Sequence, residues 1–196
     1  MDEPTIGVLL AGGRGSRLGG AKALATLAGR PLICYPLAAL RAVVGAEVAI
    51  VAKPETRLPA LPGVDVWREP AHPRHPLVGI VHALACAAGR PVLVCAADMP
   101  FVTASVLREL MSADPAGSTA VVAESAVQGL QPLLGCYQPA ARALLAPAAA
   151  EGVAPVRRVV ASLEPRLLRV SDEGVLFNIN SPDDLAAAQA RLGSDG

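Results

Sequence analysis

Short apolar runs, each closed by glycine, proline or a polar residue, alternate along the chain with longer stretches whose apolar positions recur at helical spacing. The first kind reads as strands and the second as helices. Strands are expected at Ile6–Leu10, Glu47–Ala52, Val64–Trp67, Pro91–Ala97, Thr119–Ala123, Leu133–Tyr137 and Leu167–Val170, with a short extended piece at Leu27–Pro31 turning at Gly29. Helices are expected at Leu32–Val44, Leu77–Ala88, Ala104–Met111, Ala140–Ala149, Pro155–Leu163 and Leu185–Leu192. Several ends carry their own signals. Gly45, Gly89 and Gly193 close helices, Pro147 shortens one, Thr103 caps one, and Ser181-Pro182-Asp183-Asp184 combines a capping serine with proline at the first position and an acid at the third. Pro91–Ala97 is apolar throughout, as expected of a central strand covered on both faces. Glu69–Pro76 holds three prolines and reads as an ordered loop or a flap. The alternation as a whole predicts a layered α/β fold with a mainly parallel sheet, residues 1–196 forming a single domain.

The first strand runs directly into glycines. Gly12, Gly13, Gly15, Gly19 and Gly20 leave backbone amides unscreened, and Arg14, Arg17 and Lys22 add positive charge among them. Such a loop is suited to cradling phosphates. It is not a Walker A loop, because the lysine is displaced and no serine or threonine follows it. It is not a dinucleotide fingerprint either, because Leu18 stands where the third glycine belongs.

Composition narrows the function further. The chain is 53% hydrophobic with only five aromatic residues, so the core must be built from aliphatic packing. Lys plus Arg and Asp plus Glu number 17 each, which leaves no global field to attract nucleic acid or an anionic membrane. No apolar run reaches membrane-spanning length, and the acidic start, Met-Asp-Glu-Pro, lacks the features of a secretory signal, so a cytoplasmic protein is expected. Cys34, Cys86, Cys95 and Cys136 are far apart and read as structural free thiols. His72, His75 and His82 lack cysteines at metal-ligand spacing and do not suggest a metal site.

In open parallel sheets ligands bind at the carboxyl ends of the strands. Asp98 stands there, directly after the Pro91–Ala97 run, where a carboxylate can hold magnesium bound to substrate phosphates. Lys22 can neutralise phosphate charge as a leaving pyrophosphate develops, and Arg17 can do similar work. Asn178 and Asn180 sit before the last capped helix; taken alone, asparagines in that place serve as turn residues.

Three segments together carry a resemblance. Leu10-Ala11-Gly12-Gly13, Arg17, Leu18, Gly19 and Lys22 match L-A-G-G-x-x-x-R-[ML]-G-x-x-K; Val92–Phe101 ends in Asp-Met-Pro-Phe; and Phe177-Asn-Ile-Asn-Ser-Pro-Asp-Asp-Leu185 follows near the end. In this order they resemble molybdenum cofactor guanylyltransferases, a branch of the nucleotide-sugar-pyrophosphorylase type of nucleotidyltransferase. A looser match is Pro76-Leu77-Val78-Gly79-Ile80, with His75 where the family has glycine. The family's upstream aspartate aligns on Glu69, and Ala21 replaces the aspartate usual before the lysine.

The resemblance implies a three-layer sandwich with a mainly parallel, Rossmann-like sheet of the nucleotide-diphospho-sugar transferase type. It implies GMP transfer from GTP to the phosphate of molybdenum-molybdopterin, with magnesium (Mg2+) as cofactor and pyrophosphate released. By the same resemblance, Leu10, Ala11, Gly12, Gly13, Lys22, Glu69 and Asp98 bind the nucleotide; Lys22, Arg17 and Asp98 are catalytic; Asp98 also holds the metal; and Asn178 and Asn180 meet the acceptor. Molybdoenzymes or cofactor carriers are the protein partners it suggests. Two alternatives stay open: a related transferase using CTP or another phosphorylated acceptor, and a nucleotide-binding module without turnover.

Overall fold

The structure, a computed structural model, describes residues 4–12 and 24–194. The elements in chain order are β1 (Ile6–Leu10), the hairpin of β2 (Thr26–Leu27) and β3 (Arg30–Pro31), α1 (Cys34–Val44), β4 (Val48–Ala52), β5 (Asp65–Arg68), α2 (Pro76–Cys86), β6 (Val92–Ala96), α3 (Ala104–Ser112), β7 (Ala120–Ser125), β8 (Gly129–Tyr137), α4 (Ala141–Glu151), α5 (Val156–Ala161), β9 (Arg166–Arg169) and α6 (Pro182–Ser194). A 3-10 turn, Glu173–Leu176, lies between β9 and α6.

One sheet of seven strands runs in the order β5-β4-β1-β6-β8-β7-β9. All neighbours are parallel except the two pairs made by β8, which is antiparallel to β6 and to β7. The mainly parallel α/β sheet expected from the alternation is therefore present. The antiparallel strand arises because β7 and β8 are joined by a tight turn at Ser125–Gly129, which leaves no room for a crossover helix.

Period-two alternation divides each inner strand between two cores. Leu9, Ile50, Leu93 and Cys95 face one side with Leu37 and Leu40 of α1 and Leu107 and Leu110 of α3. Val8, Val51, Val92 and Val94 face the other with Leu77 and Ile80 of α2, Leu145 of α4 and Val160 of α5. Both faces are covered, which explains why β6 carries no polar residue. A smaller cluster of Leu27, Leu32, Ile179 and Ala188 joins the β2–β3 hairpin to α6 and pins the segment before that helix.

Several expected boundaries differ: β8 begins at Gly129, four residues before the expected Leu133, and α2 ends at Cys86, before the close expected at Gly89. Pro147 lies inside α4 instead of shortening it: a mid-helix proline costs about 3 kcal/mol, but Leu145 before it and Ala149 after it are both buried in the core and keep the two halves in line. Gly193 lies inside α6, where one glycine near a frayed end costs little. The helix expected from Leu32 starts at Cys34, with Pro36 still in its first turn.

Gly135 of β8 is a close-approach glycine. A Cβ there would lie 2.7 Å from the carbonyl oxygen of Val121 and 3.2 Å from Cα of Val122. Gly135→Ala must push β7 and β8 apart within the sheet. We expect a loss of about 1–3 kcal/mol, read as a lower urea midpoint; an unchanged midpoint would show that the strands give way freely.

Candidate active site

Strand β1 has β4 on one side and β6 on the other, so the chain leaves the sheet centre in opposite directions there and opens a crevice at the carboxyl ends. Hydrogen bonds extend the ladders just past the strands and fix the residues that line it. Ala11 N–H donates to the Val51 carbonyl at 2.8 Å, Ala97 N–H to Leu10 at 3.0 Å, and Glu69 N–H to Ala52 at 3.0 Å. The cleft is lined by Leu10, Ala11, Gly12, Lys53, Glu69 and Asp98, with His75, Pro76 and Gly79 contributed by the start of α2.

Its floor holds a buried ion pair. Lys53 and Glu69 are each 3% exposed. The Lys53 ammonium lies 3.5 Å from Glu69 Oε1 and donates to the carbonyls of Pro70 at 2.6 Å and Pro73 at 3.1 Å. Glu69 Oε2 is buried and has no hydrogen-bond partner among the described residues. Burial pushes the Glu69 carboxyl above its ordinary 4.5, opposed by Lys53 and reinforced by Glu55. Leaving a buried acceptor unmade costs about 1–3 kcal/mol, and such an atom in a cleft is suited to a ligand that brings donors. Gly12 is required beside it, because a Cβ at that position would run into Glu69 Oε1. Gly79 leaves similar space, its Cβ position lying 3.4 Å from Oε2.

The loop after Glu69 is held at both ends. Arg74 pairs with Glu55 at 2.6 Å on the surface. His75 caps α2, its Nδ1 accepting from Leu77 N–H at 3.3 Å, and Pro76 occupies the first helical position. The histidine that departs from the family pattern thus has a structural task.

On the other side of the cleft, Ile179 N–H donates to the Asp98 backbone carbonyl at 2.9 Å. This bond brings Asn178 and Asn180, which flank the buried Ile179, next to the end of β6. Asn178 Nδ2 donates to the Leu176 carbonyl at 2.9 Å. Asp184 Oδ2 accepts from the N–H groups of Asn180 and Ser181 at 2.9 and 2.8 Å, and Ser181 Oγ accepts from Asp184 N–H at 3.2 Å, the reciprocal capping box expected of this sequence.

Asn178 also lines a second cavity with Met99, Gln131, Pro132, Leu133, Leu134, Val156 and Arg157. Leu133 is a wall of both cavities. It is free to be so because β8 bulges: Val122 lies opposite Gly135 but Ala123 lies opposite Gln131, so Pro132, Leu133 and Leu134 have no partners on β7. A bulge also tolerates the missing N–H of Pro132. The buried Tyr137 hydroxyl donates to the Pro132 carbonyl at 2.6 Å and fixes its shape.

Of the residues picked out in the sequence, Leu10, Ala11, Gly12, Glu69 and Asp98 meet in the first cleft, and Asn178 and Asn180 lie beside it. Gly13, Arg17 and Lys22 lie outside the described residues. Lys53 was missed, since a lysine before proline at a strand end looks like a solvated loop residue; its only sequence signal is its place directly after a wholly buried strand. Cys95 and Cys136 are buried, and burial holds the Cys136 thiol up at about 11, so neither serves as a nucleophile. Cys86 is a free thiol, exposed and one turn from His82, with Sγ 3.5 Å from Nε2. Among the described residues no three His, Cys, Asp or Glu side chains gather to hold a metal ion by themselves. Asp98 is a single hard carboxylate, which fits magnesium that arrives on phosphate oxygens and keeps them and water as its other ligands. Nor is any helix among the described residues long and apolar enough to cross a membrane.

Comparison with known proteins gives three kinds of match. Residues 7–167 match the model of the MobA-like NTP transferase domain. A molybdenum cofactor guanylyltransferase of Cereibacter sphaeroides is 36% identical over 194 residues, covering 97% of this chain and 98% of its own. In solved structures, molybdopterin-guanine dinucleotide biosynthesis protein A of Archaeoglobus fulgidus superposes with a TM-score of 0.78 at 24% identity, over 97% of this chain and 100% of that one. Rv0371C of Mycobacterium tuberculosis, solved in complex with manganese, gives 0.74 at 20% identity, over 97% and 100%.

Proposed function

The chain belongs to the MobA-like NTP transferase family, and from that premise we propose that residues 1–196 act as one nucleotidyltransferase domain that moves GMP from GTP to the phosphate of molybdenum-molybdopterin. The acceptor phosphate attacks the α-phosphorus, the bond to the bridging oxygen breaks, and pyrophosphate leaves. Such a transfer depends on positioning and charge neutralisation and needs no covalent protein nucleophile. The reaction belongs in the cytoplasm, where molybdoenzymes or carriers can collect the product.

The observation that supports this reading best is the Glu69 carboxylate at the end of β5, with a buried oxygen that has no protein donor among the described residues. Guanine alone among the common bases presents two adjacent donors, N1–H and the 2-amino group, on its pairing edge. Cytosine and adenine set an acceptor beside their donor, and that acceptor would face a carboxylate oxygen. Leu10, Ala11 and Gly12 line the same cleft, and the family resemblance assigns Gly13, Arg17 and Lys22, outside the described residues, to the phosphates. Asp98 would hold the magnesium, which when bound offsets charge on the phosphates. The second cavity, with Asn178 in its wall and Asn180 alongside, is our site for the acceptor.

Glu69 reads guanine as a carboxylate, so protonation removes an acceptor. Its pKa is raised above 4.5, and discrimination must therefore fade on acidification before the pH falls to 4.5. The ratio of GTP to ITP affinities is the measurement, since the triphosphate's own titration cancels in it. A ratio that stays constant down to that pH would remove Glu69 from base recognition.

The direct test is pyrophosphate release with magnesium and each of the four nucleoside triphosphates, with and without molybdopterin. We expect release that requires molybdopterin and prefers GTP. Preference for CTP would correct the base, and no release under any condition would overturn the activity.

A further inference from the structure

Lys53 has no part in the transfer described so far, yet it is among the most buried charges of the described chain. A lysine keeps its charge in such a place only when its donors are satisfied, and here two carbonyls and a carboxylate surround it. These partners belong to one short stretch: Glu69 itself, and Pro70 and Pro73 of the loop that leads to the His75 cap of α2. One ammonium therefore anchors both the carboxylate and the loop that forms the cleft's edge. The arrangement is directional. Lys53 engages Oε1 and leaves Oε2 buried and without a partner among the described residues.

We propose that Lys53 is a positioning residue for base selection: by anchoring Glu69 through Oε1 and the loop through Pro70 and Pro73, it sets the preference for a base with two adjacent donors. The inference rests on the guanine reading above. It goes beyond that reading by assigning the specificity to a pair, of which Lys53 does not touch the nucleotide. Burial alone drives Glu69 towards its neutral form, and Lys53 is the principal opposing influence. The other charged or titratable side chains on the elements around Glu69 are Asp65 and Arg68 of β5, His72, Arg74 and His75 of the loop, Glu55, His82 and Asp98; Arg68 donates to the Lys53 carbonyl, and Glu55 favours protonation of Glu69. Without Lys53 the carboxyl shifts further towards its neutral form and loses its anchor, and the discrimination against a base lacking the 2-amino group goes with it.

The test is titration of GTP and ITP, with magnesium, into the wild-type protein, Lys53→Met, Glu69→Gln and the double variant. The wild type is expected to prefer GTP by about tenfold or more, as for a hydrogen bond to a charged group. Lys53→Met should bring the preference below about threefold and regain it as the pH is raised and Glu69 ionises. A role confined to holding the fold would not return with pH. Glu69→Gln should lose the preference by itself, and adding Lys53→Met should change it no further, because the lysine acts through the carboxylate. If Lys53→Met alone does not fold, the two proteins carrying Glu69→Gln, in which no carboxylate is left unpaired, supply the comparison. A preference retained in Lys53→Met, or a GTP to ITP ratio that differs between Glu69→Gln and the double variant, overturns the inference. A wild type that binds GTP and ITP equally overturns the guanine reading on which it stands.

Discussion

Asp98→Ala is expected to reduce kcat for guanylyl transfer by about 10²–10³-fold while the protein still folds. The size follows from the chemistry: charge accumulates on the departing pyrophosphate, the magnesium proposed to be held by Asp98 would offset it, and removing such a stabilising group costs about 10²–10³ in rate. The fold is spared because the tie between β6 and the Asn178–Asn180 segment runs through the Asp98 backbone carbonyl, which alanine keeps. Asp98→Asn separates charge from shape and should lose nearly as much. The measurements are pyrophosphate release under saturating GTP and acceptor, and thermal unfolding of the same samples. Normal magnesium-dependent turnover in either variant would take the metal away from Asp98.

Gly12→Ala is expected to weaken GTP binding by about 10–100-fold, with a smaller effect on kcat. The added Cβ collides with Glu69 Oε1. A flexible surface acid would swing aside at little cost, but Glu69 is 3% exposed and held by Lys53, so the whole carboxylate must leave its place. Misplacing a charged hydrogen-bond partner costs about 1.5–3 kcal/mol, which is the quoted range in affinity. A second change provides the control. Glu69→Asp shortens the acid by one methylene, and in the Gly12→Ala background it should recover part of the lost affinity. Direct titration with GTP reads both. Unchanged affinity in Gly12→Ala would show that the glycine is needed for some other reason.

What the sequence disclosed about this site was whatever is written locally. The apolar run Ile6–Leu10 ending in glycines, the run Pro91–Ala97 ending in Asp98, and the Ser181–Asp184 cap each hold their signal within a few residues, and each is where it was expected. Glu69 was legible only through family resemblance, because an acid opening a proline-rich loop looks solvated until burial is known. Lys53 was hidden for the same reason, its partners lying 16 to 20 positions downstream at Glu69, Pro70 and Pro73. The antiparallel course of β8 was not legible, since Leu133–Tyr137 has the same apolar character in either direction and the pairing with β6 decides. The nearness of Asn178 and Asn180 to Asp98 is marked by a backbone bond from Ile179 to Asp98, which no local pattern announces.

The bulge in β8 has a consequence for how this family can change. Gly135 and Gln131 keep their places opposite β7 on either side of it, and Leu134 keeps its place opposite Cys95 of β6, so Pro132 and Leu133 can vary in size without shifting the register of the sheet. Leu133 is a wall of both cavities, so such variation reshapes the first cleft together with the second. One short segment can therefore retune both cavities at once while the sheet that carries them stays as it is.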